Sequence, residues 1–389
     1  MRSARTATML LAMLLLALTA APSAAPGAER AGRGAAERPR APASKPAKTP
    51  MIHVTDLYHP HGDPDDHWDL ACVYALACAG SVDLKAVVID YPPTSRVGDP
   101  AVAAVGQMGA ITGVNVPVVV GAPRRMKAPD DAQPSARPSE HAAARAILKV
   151  LRASPSPVVI TVTGCCRDVA LAAGKRPDVF AAKCAAVYIN AGSGTPDRTK
   201  ATRREYNVAL DPAAYAAMFA LPCRLYWLPC FEVAPGGGEA WRVRRYGSFY
   251  RFRQDEVLPH LSPRVQRFFL YMLTRSKDLR WLRYLDGARD EKLLAEVGRR
   301  HRNMWSTASF LHAAGRTVTR AGRIVPLGAA AEDAVFAFEP VRVTCDGEGV
   351  TTWRHERAAS RRFMFHVRDT KNYAAAMTQA VRSLLSELP

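Results

Sequence analysis

From Met51 onward, short runs that are apolar at nearly every position alternate with stretches in which apolar residues recur every three or four. The first pattern predicts strands over Met51–Asp56, Leu84–Ile89, Val116–Val120, Pro157–Val162, Ala185–Asn190 and Leu225–Leu228. The second predicts helices over His67–Ala79, Pro100–Gly113, Ser139–Leu151, Asp168–Ala173 and Ala213–Ala220. Strands apolar on both faces and separated by helices imply an α/β fold, with a mostly parallel open sheet and helices on both faces. In such sheets ligands bind beyond the carboxyl ends of the strands. The stretch from Pro235 to Arg302 is rich in Arg and aromatics and reads as helical around Pro263–Arg275 and Asp290–Arg299. Phe336–Thr344 and Arg361–Val367 read as β structure before a last helix over Tyr373–Leu388, a C-terminal β/α extension.

The first fifty residues have neither pattern. Arg2 and Arg5 precede a ten-residue apolar run, Met9–Leu18, which small residues follow. The run is too short to span about 30 Å of hydrocarbon, so residues 1–25 are read as a cleaved export signal. Residues 26–50 are rich in Pro, Ala and Arg and read as a disordered linker. The expected mature body, residues 51–389, is exported to the periplasm or the exterior and has no membrane span.

Composition narrows the class without naming a chemistry. With 48% apolar and 23% charged side chains, the chain is an ordinary globular one. Its net charge of +18 is partly an N-terminal feature, since the first 50 residues hold eight basic and two acidic groups. The remaining basic surface attracts anions and says nothing about catalysis. The eight cysteines lack zinc-site spacing and several lie in apolar runs; one or two disulfides are compatible with an oxidising compartment, their pairing undetermined. Neither a G-x-G-x-x-G after the first strand nor a G-x-S-x-G element is present.

The candidate chemistry lies just after the first strand. Asp56, Asp63, Asp65, Asp66 and Asp69 fall within fourteen residues, with His59, His61 and His67 among them. Like-charge repulsion makes such a loop costly unless a cation offsets it, and carboxylate oxygens select hard ions, calcium first and magnesium second. Helix capping by Asp63, Asp65 and Asp66 accounts for one or two of them only.

Here the chain resembles the nucleoside hydrolases, inosine/uridine-preferring members included. Their signature is an aspartate-rich loop ending in Asp-Asp after a first strand, as at Thr55-Asp56 and Asp65-Asp66. Val158–Ala170 is similar to the family's strand–GPLTN segment, and Val187–Gly194 to its strand entering a Met-Gly-Gly turn. Arg204–Ala214, which holds Glu205-Tyr206-Asn207 and Asp211-Pro212, resembles its E-aromatic-N-x-x-x-DP-x-A stretch. The resemblance covers residues 51 to about 230 well and the remainder loosely.

It implies hydrolysis of the N-glycosidic bond of a nucleoside or related glycoside by a calcium-activated water. Asp65 and Asp66 would share calcium ligation and ribose binding, and Glu205 and Asn207 would grip ribose hydroxyls. The Arg167 backbone carbonyl would be a further metal ligand. The family's catalytic aspartate stands four residues before the Asp-Asp pair, where this chain has His61. Asp63 is therefore expected as the base, with Asp56 as a ligand or orienting group. The family's later His-Asp pair is replaced by Trp305-Ser306, which leaves leaving-group protonation unassigned. Trp305 is a candidate to stack on the base, and any of the three loop histidines to supply the proton.

Two other readings remain at this stage. One is a non-catalytic or differently specific sugar-binding relative. The other is a cationic nucleic-acid or cell-wall binder, resting on the basic–aromatic alternation of Arg242–Arg253 and on Arg299–Arg302. An ordinary strand or helix face explains that alternation better, so nucleic acid is not the favoured partner. Homo-oligomerisation is left open.

Overall fold

The apolar runs become neighbouring strands of one nine-stranded sheet. In chain order its strands are β1 (Thr49–Thr55), β2 (Val82–Ile89), β3 (Val118–Val120), β4 (Val158–Val162), β5 (Cys184–Asn190), β6 (Arg224–Leu228), β7 (Phe336–Cys345), β8 (Thr351–His355) and β9 (Arg362–Val367). The computed structural model describes residues 48–93, 98–197, 199, 205–233, 241–329, 332–357 and 360–389. The export signal and nearly all of the linker expected from sequence lie outside these residues. The linker yields at Thr49, because Thr49 and Pro50 already pair with Val82 and Asp83.

The strands lie in the order β8-β7-β9-β6-β5-β4-β1-β2-β3. From β9 to β3 every pairing is parallel, and β7 and β8 add antiparallel pairs at the other edge. The central parallel strands are buried on both faces, as β4 is at all five positions. One face is covered by helices α1 (Asp65–Cys78) and α2 (Tyr373–Leu385) with Val102–Thr112 and Pro263–Leu273. The other is covered by Ala142–Ala153, Arg167–Lys175 and Pro212–Met218. Among the described residues no helix is long and apolar enough to cross a membrane.

Helix α1 sets the position of the acidic loop. Every residue from Asp66 to Ala77 is buried, so the helix is held from all sides rather than along one stripe. Trp68 is the anchor, its ring 4.1 Å from that of Phe269 and 5.3 Å from that of Phe252. The basic–aromatic stretch resolves into a strand, Tyr250–Arg253, whose aromatics are buried and whose arginines are exposed. It pairs antiparallel with His301–Met304, and both strands escaped the sequence reading.

Two buried histidines make stability depend on pH. His312 is hydrogen-bonded to the Tyr188 hydroxyl at 2.8 Å, and burial pushes its imidazole down to about 4. His53, 3.0 Å from Thr161 Oγ1, is pushed down to about 3 for the same reason. Both are folded neutral. Their contribution is therefore complete above the ordinary value of 6.5 and is lost as pH falls through the folded values. For His312 that loss is roughly 3 kcal/mol. Between pH 7 and 4 the denaturant midpoint of His312→Gln should gain on that of the wild type, because the buried carboxyls that act in the opposite sense are common to both. Equal slopes would show that His312 is not one of the groups responsible.

Candidate active site

The carboxyl ends of β1, β4 and β5 meet beneath the loop that leads into α1. Asp56 follows β1 directly, and α1 returns Asp65 and Asp66 in its first turn. These aspartates do not cap the helix: its N-cap is Pro64, with no side-chain cap bond. Asp66 instead accepts hydroxyl hydrogen bonds from Thr55 at the end of β1 and from Thr163 just past β4, the latter at 2.9 Å. The carboxyl groups of Asp56 and Asp66 also hydrogen-bond one another. Both residues are almost wholly buried. Burial, then the charge of Asp56, pushes the Asp66 carboxyl up, and the two hydroxyls oppose the shift. Asp65 is likewise pushed up, by burial and then by the charges of Asp63 and Asp66.

The facing wall comes from the segment before β6. Glu205 caps the short helix Tyr206–Leu210, its carboxylate accepting from the backbone N–H groups of Asn207, Val208 and Gly192. Asn207 donates both amide hydrogens, to the Thr163 carbonyl at 3.0 Å and the Asn190 carbonyl at 2.9 Å. Only its oxygen is left for a ligand. Phe231, Trp241 and Trp305 form an aromatic side, with Phe231 and Trp305 ring centres 5.8 Å apart in an edge-on contact. The Trp305 indole N–H is buried and has no partner among the described residues.

These groups enclose a cavity of about 420 Å³, a size suited to a small molecule. Asp56, Asp63, Asp65, Asp66, Glu205, Asn207 and Trp305, all singled out in the sequence, line it together. Arg167 does not. It is the first residue of the helix Arg167–Lys175, whose backbone ladder takes up its carbonyl. Its guanidinium turns into a buried pair with Asp211 at 2.7 Å and a bond to the Ala122 carbonyl. The expected ligand at Arg167 is therefore not presented to the cavity.

Asp63 has an unexpected partner. The Arg302 guanidinium, itself buried, forms an ion pair with it across the mouth of the acidic loop. Nothing in the sequence links two residues 239 positions apart. Thr163 and Asn190 were also missed, although each sits at the carboxyl end of a parallel strand, where ligand groups are expected. No histidine is among the residues lining the cavity. His59 stacks on Tyr271 and bonds the Ser276 carbonyl, and His67 is buried against Phe268. Ser306 donates to Asn190 Oδ1 at 2.9 Å and lies beside the buried Asp69.

As a cation site the floor is fitting in chemistry but sparse. Two buried carboxyls in mutual contact need a shared proton or a cation between them. Among the described residues, however, no three His, Cys, Asp or Glu side chains are gathered into a metal-ligand set. Asp56 and Asp66, in mutual contact and with Asp65 beside them on the same cavity, are the side chains that would hold a hard ion.

Residues 62–242 match the family described as inosine-uridine preferring nucleoside hydrolase. Among solved structures, the effector protein XOO4466 shares 16% identity at a TM-score of 0.51, over 88% of this chain and 95% of that one. An inosine-guanosine nucleoside hydrolase shares 14% at a TM-score of 0.49, over 86% and 99%. The inosine-uridine preferring nucleoside hydrolase from Bacillus anthracis shares 13% at a TM-score of 0.43, over 87% and 100%. No curated protein sequence matches the chain.

Proposed function

We propose, on the family match over residues 62–242, that the chain hydrolyses the N-glycosidic bond of a ribonucleoside or related glycoside. The observation that carries this reading is the convergence of Asp56, Asp65 and Asp66 with Asn207 and an aromatic side on one cavity of about 420 Å³. A sugar fits against the polar floor and a flat base against Phe231, Trp241 and Trp305.

Asp56 and Asp66 would hold a calcium ion, with magnesium the second choice. Such an ion acidifies a bound water and anchors the sugar hydroxyls. Asp56 is placed to accept the proton of the attacking water. Asp63 is the weaker candidate for that task, since its charge is already engaged by Arg302. Asp65 and the Asn207 oxygen are available to ribose hydroxyls. The carboxylate floor as a whole favours the positive charge that grows on the sugar as the bond breaks. Glu205 fixes the backbone that presents Asn207, since its carboxylate ties Gly192 to the start of the helix.

The departing base needs a hydrogen bond, and the Trp305 N–H is a buried donor in the aromatic side without a partner among the described residues. Trp305→Phe keeps an aromatic face, though a smaller one, and removes that donor. It should lower kcat/KM about 3- to 10-fold, mostly in kcat if the bond strengthens in the transition state. An unchanged kcat/KM would take Trp305 out of the chemistry.

The direct test is release of reducing sugar from a panel of purine and pyrimidine nucleosides, with calcium and then with a chelator. Sugar release that the chelator stops is the expected result. Calcium binding with no release from any nucleoside would replace hydrolysis by a sugar-binding role. Calcium held by only two protein carboxylates should bind weakly, with Kd of about 10⁻⁴–10⁻³ M by analogy with weak extracellular sites.

A further inference from the structure

All eight cysteines are free thiols in the structure, but two of them are neighbours. Cys184 opens β5 and Cys223 immediately precedes β6. The strands are adjacent and parallel, with Ala186 opposite Arg224 and Val187 opposite Leu225. Residue 223 therefore lies beside residue 185, at the amino ends of the strands, away from the cavity. Both side chains are buried in the same apolar cluster, and each thiol perturbs the other's titration. Adjacent strands run about 4.8 Å apart, inside the Cα separations of about 4.4–6.8 Å that a disulfide spans.

We propose that Cys184 and Cys223 are a disulfide site, closed when the protein meets a disulfide oxidant, and that the bond ties β5 to β6 beneath the candidate active site. The loop it closes contains Glu205 and Asn207, so both ends of the segment carrying them would be fixed at the far edge of the sheet.

The surroundings assign the order of events. Arg362 in β9 donates to the carbonyls of Phe219, Leu221 and Cys223, which brings its positive charge to this corner. The Cys184 contact first, then the Arg362 and Arg361 charges, draw the Cys223 thiol below its ordinary value against the effect of burial. Cys184 is pushed up. The Cys223 thiolate attacks one sulfur of the oxidant RSSR and releases RS⁻. The Cys184 thiolate then attacks the Cys223 sulfur of the mixed disulfide and releases the second RS⁻. Two cysteine thiols are oxidised, RSSR is reduced to two RSH, and the two thiol protons leave with them.

The test uses the full chain equilibrated in glutathione buffers from fully reduced to fully oxidised, quenched in acid, alkylated under denaturing conditions and mapped by mass spectrometry. A cross-linked peptide pair joining Cys184 to Cys223, two hydrogens lighter than the separate peptides, should appear toward the oxidised end and vanish with dithiothreitol. The oxidised wild type should also lose about 5 °C of thermal midpoint on reduction, and the Cys184→Ser/Cys223→Ser variant should not respond. Both thiols alkylated at every ratio, or either one joined to a different cysteine, would overturn the proposal. The peptide map decides even if the double variant fails to fold.

Discussion

Asp66→Asn will abolish hydrolysis and the calcium-dependent rise in thermal midpoint, while leaving the metal-free protein at least as stable as the wild type. Asparagine matches aspartate in shape, and its Oδ1 still accepts the Thr55 and Thr163 hydroxyls. What it removes is a negative charge buried against Asp56. That charge is a liability in the metal-free fold and the reason a cation binds. A ligand at one hundred times its Kd stabilises the wild type by about 2.7 kcal/mol, and this increment should be absent from the variant. A loss in kcat/KM of about 1000-fold is expected, of the size seen when a group that organises transition-state charge is removed. Scanning calorimetry with and without calcium, beside sugar-release kinetics, tests both halves. Turnover near the wild-type value would mean that the Asp56–Asp66 pair is not the reacting centre.

Gly164→Ala should damage the same site from behind. A Cβ at this position would lie 2.3 Å from Asp90 Oδ2, 2.8 Å from the Asp56 backbone nitrogen and 2.9 Å from Asp56 Cβ. The Asp90 carboxylate could swing aside. The Asp56 backbone cannot, because β1 is paired on both sides with β2 and β4. The strand ends must part, at a cost of about 1–3 kcal/mol. A shift of about 1 Å in Asp56 should lower kcat about 100-fold. Gly174→Ala, in the helix Arg167–Lys175 with nothing within 4 Å of the new methyl, is the control. It should be neutral or stabilising by about 0.5–1 kcal/mol. Unfolding and kinetics of the two variants should therefore diverge. If Gly164→Ala retains full activity, Asp56 does not need the position it has here.

The boundaries of the parallel strands agree with the sequence pattern to within two residues, because a strand buried on both faces must be apolar throughout. The short pair Tyr250–Arg253 and His301–Met304 did not show itself. One buried face on a four-residue strand leaves two aromatics between arginines, a pattern shared with many exposed segments. The acidic cluster was legible because assembling like charges has a cost that ordinary surface does not justify. Its division of labour was not. Asp63 looked like the base by its place in the loop, but a guanidinium sits on it. Arg167 looked like a backbone-carbonyl ligand by likeness to a motif, but helix formation takes up that carbonyl.

The sequence by itself determined the fold class, the loop that carries the carboxylates and the family that residues 62–242 match. These depend on periodicity and local spacing, which any contiguous stretch displays. Only the tertiary structure decided that Thr55 and Thr163 steady Asp66, that Arg302 answers Asp63, and that Cys184 meets Cys223. Each of those contacts joins separate segments, most of them far apart in the chain. Their energies depend on distance and burial, quantities that exist only once the strands have taken their order in the sheet.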